Sequence, residues 1–493
     1  MSVQVRMTSS QYRELHNILF REDRDEHAAL LFAGSMRTAD GGERLLVREV
    51  QAVPDEAFGP SDRGGYRQVS GAVVARAAMR CEQQGLRFIW AHSHPMSTTR
   101  VGFSGPDLDT HARAHPGLIA LTGGKPVTSL VFGTKAMAGE VWRPDGAVEM
   151  VSHLDIVGAK FDRLAPEPIC ETEAEPRFAR QVLMFGAAGQ AALRRMTVAV
   201  LGTGGGGSLL VQALAHLGVG RILVVDFDRV STSNLSRIVG AEPADAAQGS
   251  LKIEVMKRMV RRIDPTVELV ALPGDISYIG DALEVAQADF IFSATDTMLA
   301  RFAFNALCHQ YLIPGAQVGA KVVADERGDI SLVYAMHRPL DLAGACLECS
   351  RDIDGERLRR EQLGEFERRD QNYLNMPDLE VVDPSVITLN SVAASMAMID
   401  FQLAVTGLLG DDHALEQRVY HARARQLRSR EHAPRSGCRW CDACAELGAF
   451  ARGDDVPLPL RPGTSPRPRV GLASWWHRVR HVVRRMGSVR AGA

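Results

Sequence analysis

The stretch Met196–Arg237, MTVAVLGTGGGGSLLVQALAHLGVGRILVVDFDRVSTSNLSR, decides the fold of this chain. Thr197–Leu201 is a short apolar, β-branched run stopped by a glycine cluster, and it predicts a buried strand. Gly202, Gly204 and Gly207 are spaced as G-x-G-x-x-G, and Ser208–Leu217 continues as an apolar helix. Glycines here, Gly205 among them, permit a tight turn. They also let backbone N–H groups approach phosphate oxygens at a helix N-terminus, where the dipole favours negative charge. Arg221–Asp226 reads as a second strand ending in an acid about twenty residues beyond the last glycine, the usual place of a ribose-hydroxyl acceptor. The unit is a nucleotide-binding βαβ and implies an α/β, Rossmann-like domain.

The polar run after that strand, Asp226-Phe-Asp228-Arg-Val-Ser-Thr-Ser-Asn234-Leu-Ser-Arg237, resembles the signature of the ThiF/MoeB-like adenylating enzymes, which include the activating enzymes of ubiquitin-like proteins. Arg177-Phe-Ala-Arg180-Gln181 precedes the first strand as in that family. Lys252, in GSLKIEVMKRMVRRIDP, matches its ATP-binding lysine, and Asp296, in Ser293-Ala-Thr-Asp296, its magnesium-binding aspartate. Cys346-Leu-Glu-Cys349 and Cys438-Arg-Trp-Cys441 match its zinc ligands. The resemblance covers about residues 173–445. It implies ATP and Mg2+ as cofactors, held by Gly202, Gly204, Gly205, Gly207, Asp226, Asp228, Asn234, Arg237, Lys252 and Asp296. It also implies a homodimer, because the family's counterpart of Arg180 reaches the site from a partner subunit.

The chemistry accounts for these residue types. Activating a carboxylate with ATP means attack on the α-phosphorus with pyrophosphate leaving. The transition state spreads negative charge over several oxygens, so cations and metal-binding carboxylates matter more than an acid–base pair. Arg180, Arg237 and Lys252 would supply charge, Asn234 hydrogen bonds, and Asp296 a ligand for magnesium. Taken singly, each is an ordinary solvated surface group; their order beside a phosphate loop is what singles them out.

Two CxxC pairs bracketing a domain read as a four-cysteine zinc site, structural because four thiolates leave no open position. Cys438-Arg-Trp-Cys441-Asp-Ala-Cys444 offers two overlapping pairs; Cys438 and Cys441 are the favoured ligands, with Cys444 as the alternative. Cys308 reads as core packing. From Ser350 to Gly437 there is no cysteine, whereas thioester-forming members of the family carry one in this crossover segment. The acyl-adenylate is therefore expected to pass to an external thiol or amine.

The N-terminal part carries its own constellation. Phe88-Ile-Trp-Ala predicts a buried strand that delivers His92-Ser93-His94-Pro95, and Ser104-Gly-Pro-Asp107 follows. Alternation along a strand points His92 and His94 to one side. Two imidazoles and the Asp107 carboxylate make a three-ligand catalytic zinc site. Glu26, opening EHAALLFAG, is placed to take a proton from an attacking water, and Ser104 to hydrogen-bond a tetrahedral oxyanion. This pattern resembles the JAB/MPN (JAMM) metalloprotease motif, with nine residues rather than the usual seven between His94 and Ser104. Asp109 is an alternative ligand. His111 and His115 read as solvated helix-face residues.

A chain of 493 residues implies more than one domain. The expected division is 1–152 for the JAB/MPN-like α-β-α domain, 153–176 for a proline- and acid-rich linker, 177–448 for the adenylating domain, and 449–493 for a Pro-rich linker and a basic amphipathic helix. In that last helix Leu472, Trp475, Trp476, Val479, Val482, Val483 and Met486 share one face. It suits a protein partner, an anionic membrane surface or its own domain. The apolar stretch from Val386 contains Asn390, Asp400 and Gln402 and reads as a core helix rather than a membrane span. A net charge of −2 gives no bias toward nucleic acid. Eight cysteines that include CxxC pairs, with no secretory signal before Met7, fit a reducing cytoplasm.

Together these features predict a bifunctional enzyme. It would trim or deconjugate a small ubiquitin-like or sulfur-carrier protein by zinc-dependent hydrolysis, and adenylate that protein's C-terminal glycine with ATP. A conjugating enzyme or sulfur donor would collect the product. The alternatives are an adenylating enzyme of cofactor or modified-peptide biosynthesis, and a non-catalytic scaffold.

Overall fold

Among the described residues, apolar runs pair into two eight-stranded sheets. The computed structural model describes residues 2–60, 67–168, 175–324, 329–363, 384–410, 415–443, 445 and 448–467. The first sheet contains β1 (Val3–Thr8), β2 (Ala28–Arg37), β3 (Glu43–Ala52), β4 (Arg87–Ser93), β5 (Val127–Phe132), β6 (Met137–Trp142), β7 (Val148–Val157) and β8 (Asp162–Leu164). Its order is β1-β3-β2-β4-β5-β6-β7-β8, and β1 also pairs in parallel with β7, so the sheet returns on itself. Helix α1 (Ser9–Leu19) starts at a reciprocal cap between Thr8 and Gln11. Helices α2 (Gly71–Gln84) and α3 (Gly105–Leu121) complete this half. Side-chain alternation explains the layering: Phe88 of β4 packs with Ala77 and Cys81 of α2, while Ile89 packs with Leu15 and Leu19 of α1 on the opposite face.

Helix α4 (Ala179–Arg195) leads into the second sheet. Its strands are β9 (Thr197–Leu201), β10 (Arg221–Val225), β11 (Glu268–Leu272), β12 (Phe290–Ser293), β13 (Gly315–Ala324), β14 (Ile330–Leu340), β15 (Gln417–His421) and β16 (Gln426–Arg430), in the order β11-β10-β9-β12-β13-β14-β15-β16. Pairing is parallel from β11 to β13 and antiparallel beyond. The helices between the strands are α5 (Gly205–Leu217), α6 (Pro243–Gln248), α7 (Lys252–Ile263), α8 (Ile279–Val285), α9 (Met298–Gln310), α10 (Gly355–Gln362) and α11 (Ile387–Val405). Alternation works here too. Val198 and Val200 of β9 pack with α5, α7 and α11, whereas Ala199 and Leu201 pack with α8 and α9. Both faces of a mostly parallel sheet are thus covered, as the βαβ reading requires.

Helix α11 is long and apolar enough to cross a membrane, yet it packs on α5, β13 and β14. Its polar residues are used inside the protein: Asp400 lies 3.1 Å from both His337 Nε2 and Arg418 Nη1.

The expected linker 153–176 begins too early. Strand β7 runs to Val157, and β8 pairs with it, because Leu154, Ile156 and Leu164 fill the N-terminal core. Residues 449–467 are likewise not a free linker. Ser35 bridges to Gly453, Asp455 accepts hydrogen bonds from the Ser35 backbone and hydroxyl, and Asp454 accepts from Arg37 N and Tyr311 Oη. Further on, the chain bonds α8 through Ile279 N to Arg461 O (2.9 Å) and Gly280 N to Gly463 O (2.8 Å). The C-terminal amphipathic helix lies outside the described residues.

Met36, Leu46 and Val157 of the first half belong to the same apolar cluster as Leu201, Ile291 and Phe450. Arg6, with no exposed side-chain area, crosses the seam to Asp289 at 2.7 Å, with Asp155 at 3.7 Å. Asp289 also accepts from Thr197 N (3.0 Å) at the start of β9. Asp289→Ala leaves a buried guanidinium with one distant carboxylate, and is expected to cost about 3 kcal/mol, the low end for a broken buried pair. Thermal denaturation of the full chain measures this; an unchanged melting temperature would show that the seam does not depend on the pair.

Candidate functional sites

Strand β9 has β10 on one side and β12 on the other, so strand order reverses at its carboxyl end, the place where open α/β sheets bind ligands. The glycine loop fills that point. Gly202 adopts φ +79° and a Cβ there would press on Ala294 O at 3.0 Å. A Cβ on Gly207 would collide with the carbonyl of Gly202, so helix and strand approach as closely as backbone allows. Gly204 caps α5 without a side-chain cap hydrogen bond.

The polar residues expected around the loop are distributed unevenly. Asp226 is buried and already engaged: Oδ2 accepts from Thr203 N (2.7 Å) and Thr203 Oγ1 (2.9 Å), and Oδ1 from Asp228 N (2.8 Å). It holds the loop's shape, and the more exposed carboxylate nearby is Asp228. Lys252, first residue of α7, donates from Nζ to Asp228 Oδ2 at 2.7 Å. Asn234 is buried, its Oδ1 accepting from Ser231 N (3.2 Å), which fixes the turn that presents Arg237. The Arg237 Cδ lies beside Gly205, and its Nη1 donates to Ser233 O at 2.8 Å. Asp296 is exposed just past β12; parallel pairing of Ser293 with Leu201 puts this segment next to the loop. Arg180 is exposed in the first turn of α4, and among the described residues no hydrogen bond or ion pair ties it to this group.

Sequence reasoning did not single out Asn390 for this site. Its amide nitrogen, carried by buried α11, lies against Gly205, where a Cβ would strike it. Its distance along the chain, 185 residues from that glycine, left no local signal.

The thiols of Cys346, Cys349, Cys438 and Cys441 converge, their sulfurs all within 4.8 Å of one another. Cys346 Sγ lies 3.6 Å from Cys438 Sγ, and Cys349 Sγ 3.7 Å from Cys441 Sγ. A tetrahedral ion with ~2.3 Å metal–sulfur bonds needs sulfurs about 3.8 Å apart, so the set could hold zinc. Burial acts against the Cys349 thiolate, but hydrogen bonds from Arg435 and the neighbouring thiols outweigh it and bring that thiol to about 7. Cys444 lies outside the described residues. Cys308 is fully buried in α9, in the core as expected.

In the first half, β4 and α3 bring His92, His94 and Asp107 together, with one ligand atom of each within 4.8 Å of the others. His94 Nε2 is 3.2 Å from Asp107 Oδ2 and 3.7 Å from Glu26 Oε1; His92 Nε2 is 3.5 Å from Asp107 Oδ1. Glu26 arrives because Ala28 of β2 pairs with His92 of β4. Ser104 caps α3, its Oγ donating to Asp107 Oδ2 at 2.6 Å, so that hydroxyl is committed to orienting the carboxylate. Asp109 is exposed and outside the cluster. The two extra residues before Ser104 sit in a loop tied down by Thr134 N to Ser97 O (3.0 Å) and Lys135 N to Thr98 O (2.9 Å). Among the described residues Nδ1 of buried His92 has no hydrogen-bond partner, and Nε2 meets only the Asp107 carboxylate at 3.5 Å, as suits an imidazole built to meet a cation. Burial lowers His92, while the carboxylates of Asp107 and Glu26 overcome burial to raise His94.

His111 and His115 are not solvated. They are 4 % and 2 % exposed, because α3 turns this face onto β5 and β6.

The model of the ThiF family matches residues 178–440. The chain is 36% identical over 141 residues to the tRNA threonylcarbamoyladenosine dehydratase of Bacillus subtilis, covering 28% of this chain and 54% of that protein. It is 33% identical over 140 residues to the molybdopterin-synthase adenylyltransferase of Escherichia coli (28% and 55%), and 34% over 140 residues to the SAMP-activating enzyme E1 of Haloferax volcanii (28% and 51%). The chain thus spans about half the length of these curated relatives. With a glycine loop at the switch point of a parallel sheet, a lysine and aspartates around it, and a family match over more than half of its length, the chain belongs to the ThiF family.

Proposed function

We propose that this chain is an ATP-dependent adenylyltransferase that activates the C-terminal carboxylate of a small ubiquitin-like or sulfur-carrier protein. The observation that carries this reading is the Lys252–Asp228 pair at 2.7 Å beside the glycine loop that caps α5. In this reading the loop's N–H groups and Lys252 bind the phosphates, Asp228 takes a ribose hydroxyl, and Arg237 adds charge as pyrophosphate departs. Asp296 fits magnesium as an exposed carboxylate at the strand end; the ion, when bound, offsets triphosphate charge. Arg180 completes the site from a second copy in a homodimer. With no cysteine between Ser350 and Gly437, the adenylate passes to a thiol or amine on another molecule, a conjugating enzyme or sulfur donor. The surroundings are a reducing cytoplasm.

ATP–pyrophosphate exchange tests this. Exchange that requires a glycine-terminated small protein supports it. Exchange with a short peptide instead favours peptide-product biosynthesis. Exchange with a carboxylate-bearing tRNA favours the chemistry named for the Bacillus subtilis relative. ATP binding with no exchange for any of these would point to a scaffold.

A second reading rests on a separate observation, the convergence of His92, His94, Asp107 and Glu26. We propose a JAB/MPN-type zinc hydrolase there, trimming or deconjugating the same protein. Zinc, when bound by the two imidazoles and Asp107, supplies Lewis acidity. Glu26 moves a proton, and Ser104 orients Asp107.

A further inference from the structure

A third cluster lies behind the His92 centre. His111 and His115 stand four residues apart on α3, so they share one helix face. That face lies on Ser129 of β5 and Glu140 of β6, which are cross-strand partners on one side of the sheet. All four are at least nine-tenths buried, at 4 %, 2 %, 0 % and 5 % exposure. A nitrogen of each imidazole and a carboxylate oxygen of Glu140 lie within 4.8 Å of one another. The ring of Phe103 stands between this cluster and the first, 6.1 Å from His92 and 4.9 Å from His111. The two groups are therefore separate.

The hydrogen bonding here is incomplete. His111 Nδ1 meets Glu140 Oε1 at 2.6 Å, and Trp142 Nε1 donates to the same oxygen at 2.7 Å. His115 Nε2 meets Ser129 Oγ at 3.0 Å, while its Nδ1 is buried with no partner among the described residues. An imidazole that donates from Nε2 carries a bare lone pair on Nδ1, and leaving a buried acceptor unsatisfied costs roughly 1–3 kcal/mol. A core packed only for stability would place an apolar ring there.

We propose that His111, His115 and Glu140 form a second buried zinc site in the N-terminal half. Two imidazoles and one carboxylate are a borderline donor set that suits zinc, whereas Mg2+ and Ca2+ prefer all-oxygen shells. The histidine spacing is that of helical zinc-binding pairs. The Ser129 hydroxyl meets His115 Nε2 and holds the ring's orientation, and Trp142 orients Glu140, the roles outer-sphere partners play. Tetrahedral ligands with ~2.0–2.1 Å bonds stand about 3.3 Å apart. Binding therefore opens the 2.6 Å contact between His111 and Glu140 slightly and draws His115 inward. Three protein ligands leave the fourth position to a water, and the burial of all three, at 5 % exposure or less, is what assigns the site a structural role. It clamps α3, the helix that carries Asp107, onto β5 and β6, and it stands whether or not the neighbouring centre is hydrolytic.

The test uses the full chain, loaded with Zn2+ alone and freed of loose metal. Wild type is expected to retain one more equivalent of zinc than His115→Phe, which keeps the ring stack, or Glu140→Gln, which keeps the Trp142 hydrogen bond. Equal zinc content in wild type and both variants overturns the site. If neither variant folds, anomalous diffraction at the zinc edge on wild-type crystals decides. A peak among His111, His115 and Glu140 supports the proposal; its absence, with density at the four-cysteine site, refutes it.

Discussion

Replacing Lys252 with alanine is expected to slow ATP–pyrophosphate exchange by about a hundred- to a thousand-fold, the usual loss when one preorganised electrostatic contact to a transition state is removed. Lys252 is held on α7 beside the glycine loop, and its ammonium group is paired with Asp228. ATP would draw the ammonium group from that carboxylate toward phosphate, leaving Asp228 free for a ribose hydroxyl. Alanine removes the positive charge and also leaves Asp228 to repel the triphosphate. Asp296→Ala is expected to cost a similar factor through lost magnesium binding, partly recovered at higher Mg2+. Stability is a poor readout here, because both carboxylates are exposed and such groups contribute at most about 1 kcal/mol. Exchange in both variants within threefold of wild type would remove these residues from the site.

The second large effect belongs to the hydrolase proposed for the other half. If that activity is present, Glu26→Gln is expected to reduce cleavage of a C-terminally extended substrate by about a hundred- to ten-thousand-fold, the range for losing a positioned general base. Glutamine keeps the shape beside His94 but cannot take up a proton at Oε1. Exchange should be unchanged in this variant, and hydrolysis should be unchanged in Lys252→Ala. Peptide-bond cleavage resolved by mass spectrometry measures the first half. Cleavage at the wild-type rate in Glu26→Gln would dismiss Glu26 as the base, while cleavage by neither protein would dismiss the hydrolase.

Much of both centres was legible because local chemistry wrote it. Glycines at the β9–α5 turn, histidines two residues apart at the end of β4 and a serine cap three residues before Asp107 are signals within a few residues of one another. What escaped depends on contacts far along the chain. Asn390 meets Gly205 only because α11 packs on α5. The second task of Asp226, holding the loop through Thr203, likewise depends on a residue 23 positions away. His111 and His115 looked solvated because polar neighbours surround them in sequence, and only the sheet beneath α3 buries them. The early linker boundary has the same origin, since Asp162–Leu164 is too short to read as a strand until β7 is there to pair with it.

The seam between the halves sets a condition on any shared substrate. Arg6 reaches Asp289 across it, apolar side chains from both sides join one cluster, and residues 453–463 bond first to β2 and then to α8. Swinging one half toward the other would break all of these at once. If a carrier's tail is clipped in one cleft and activated in the other, the carrier itself has to travel, by letting go and rebinding or by an extended tail gaining about 3.3–3.6 Å per residue. The length of that tail, rather than any hinge in the enzyme, then decides which carriers can use both clefts without release.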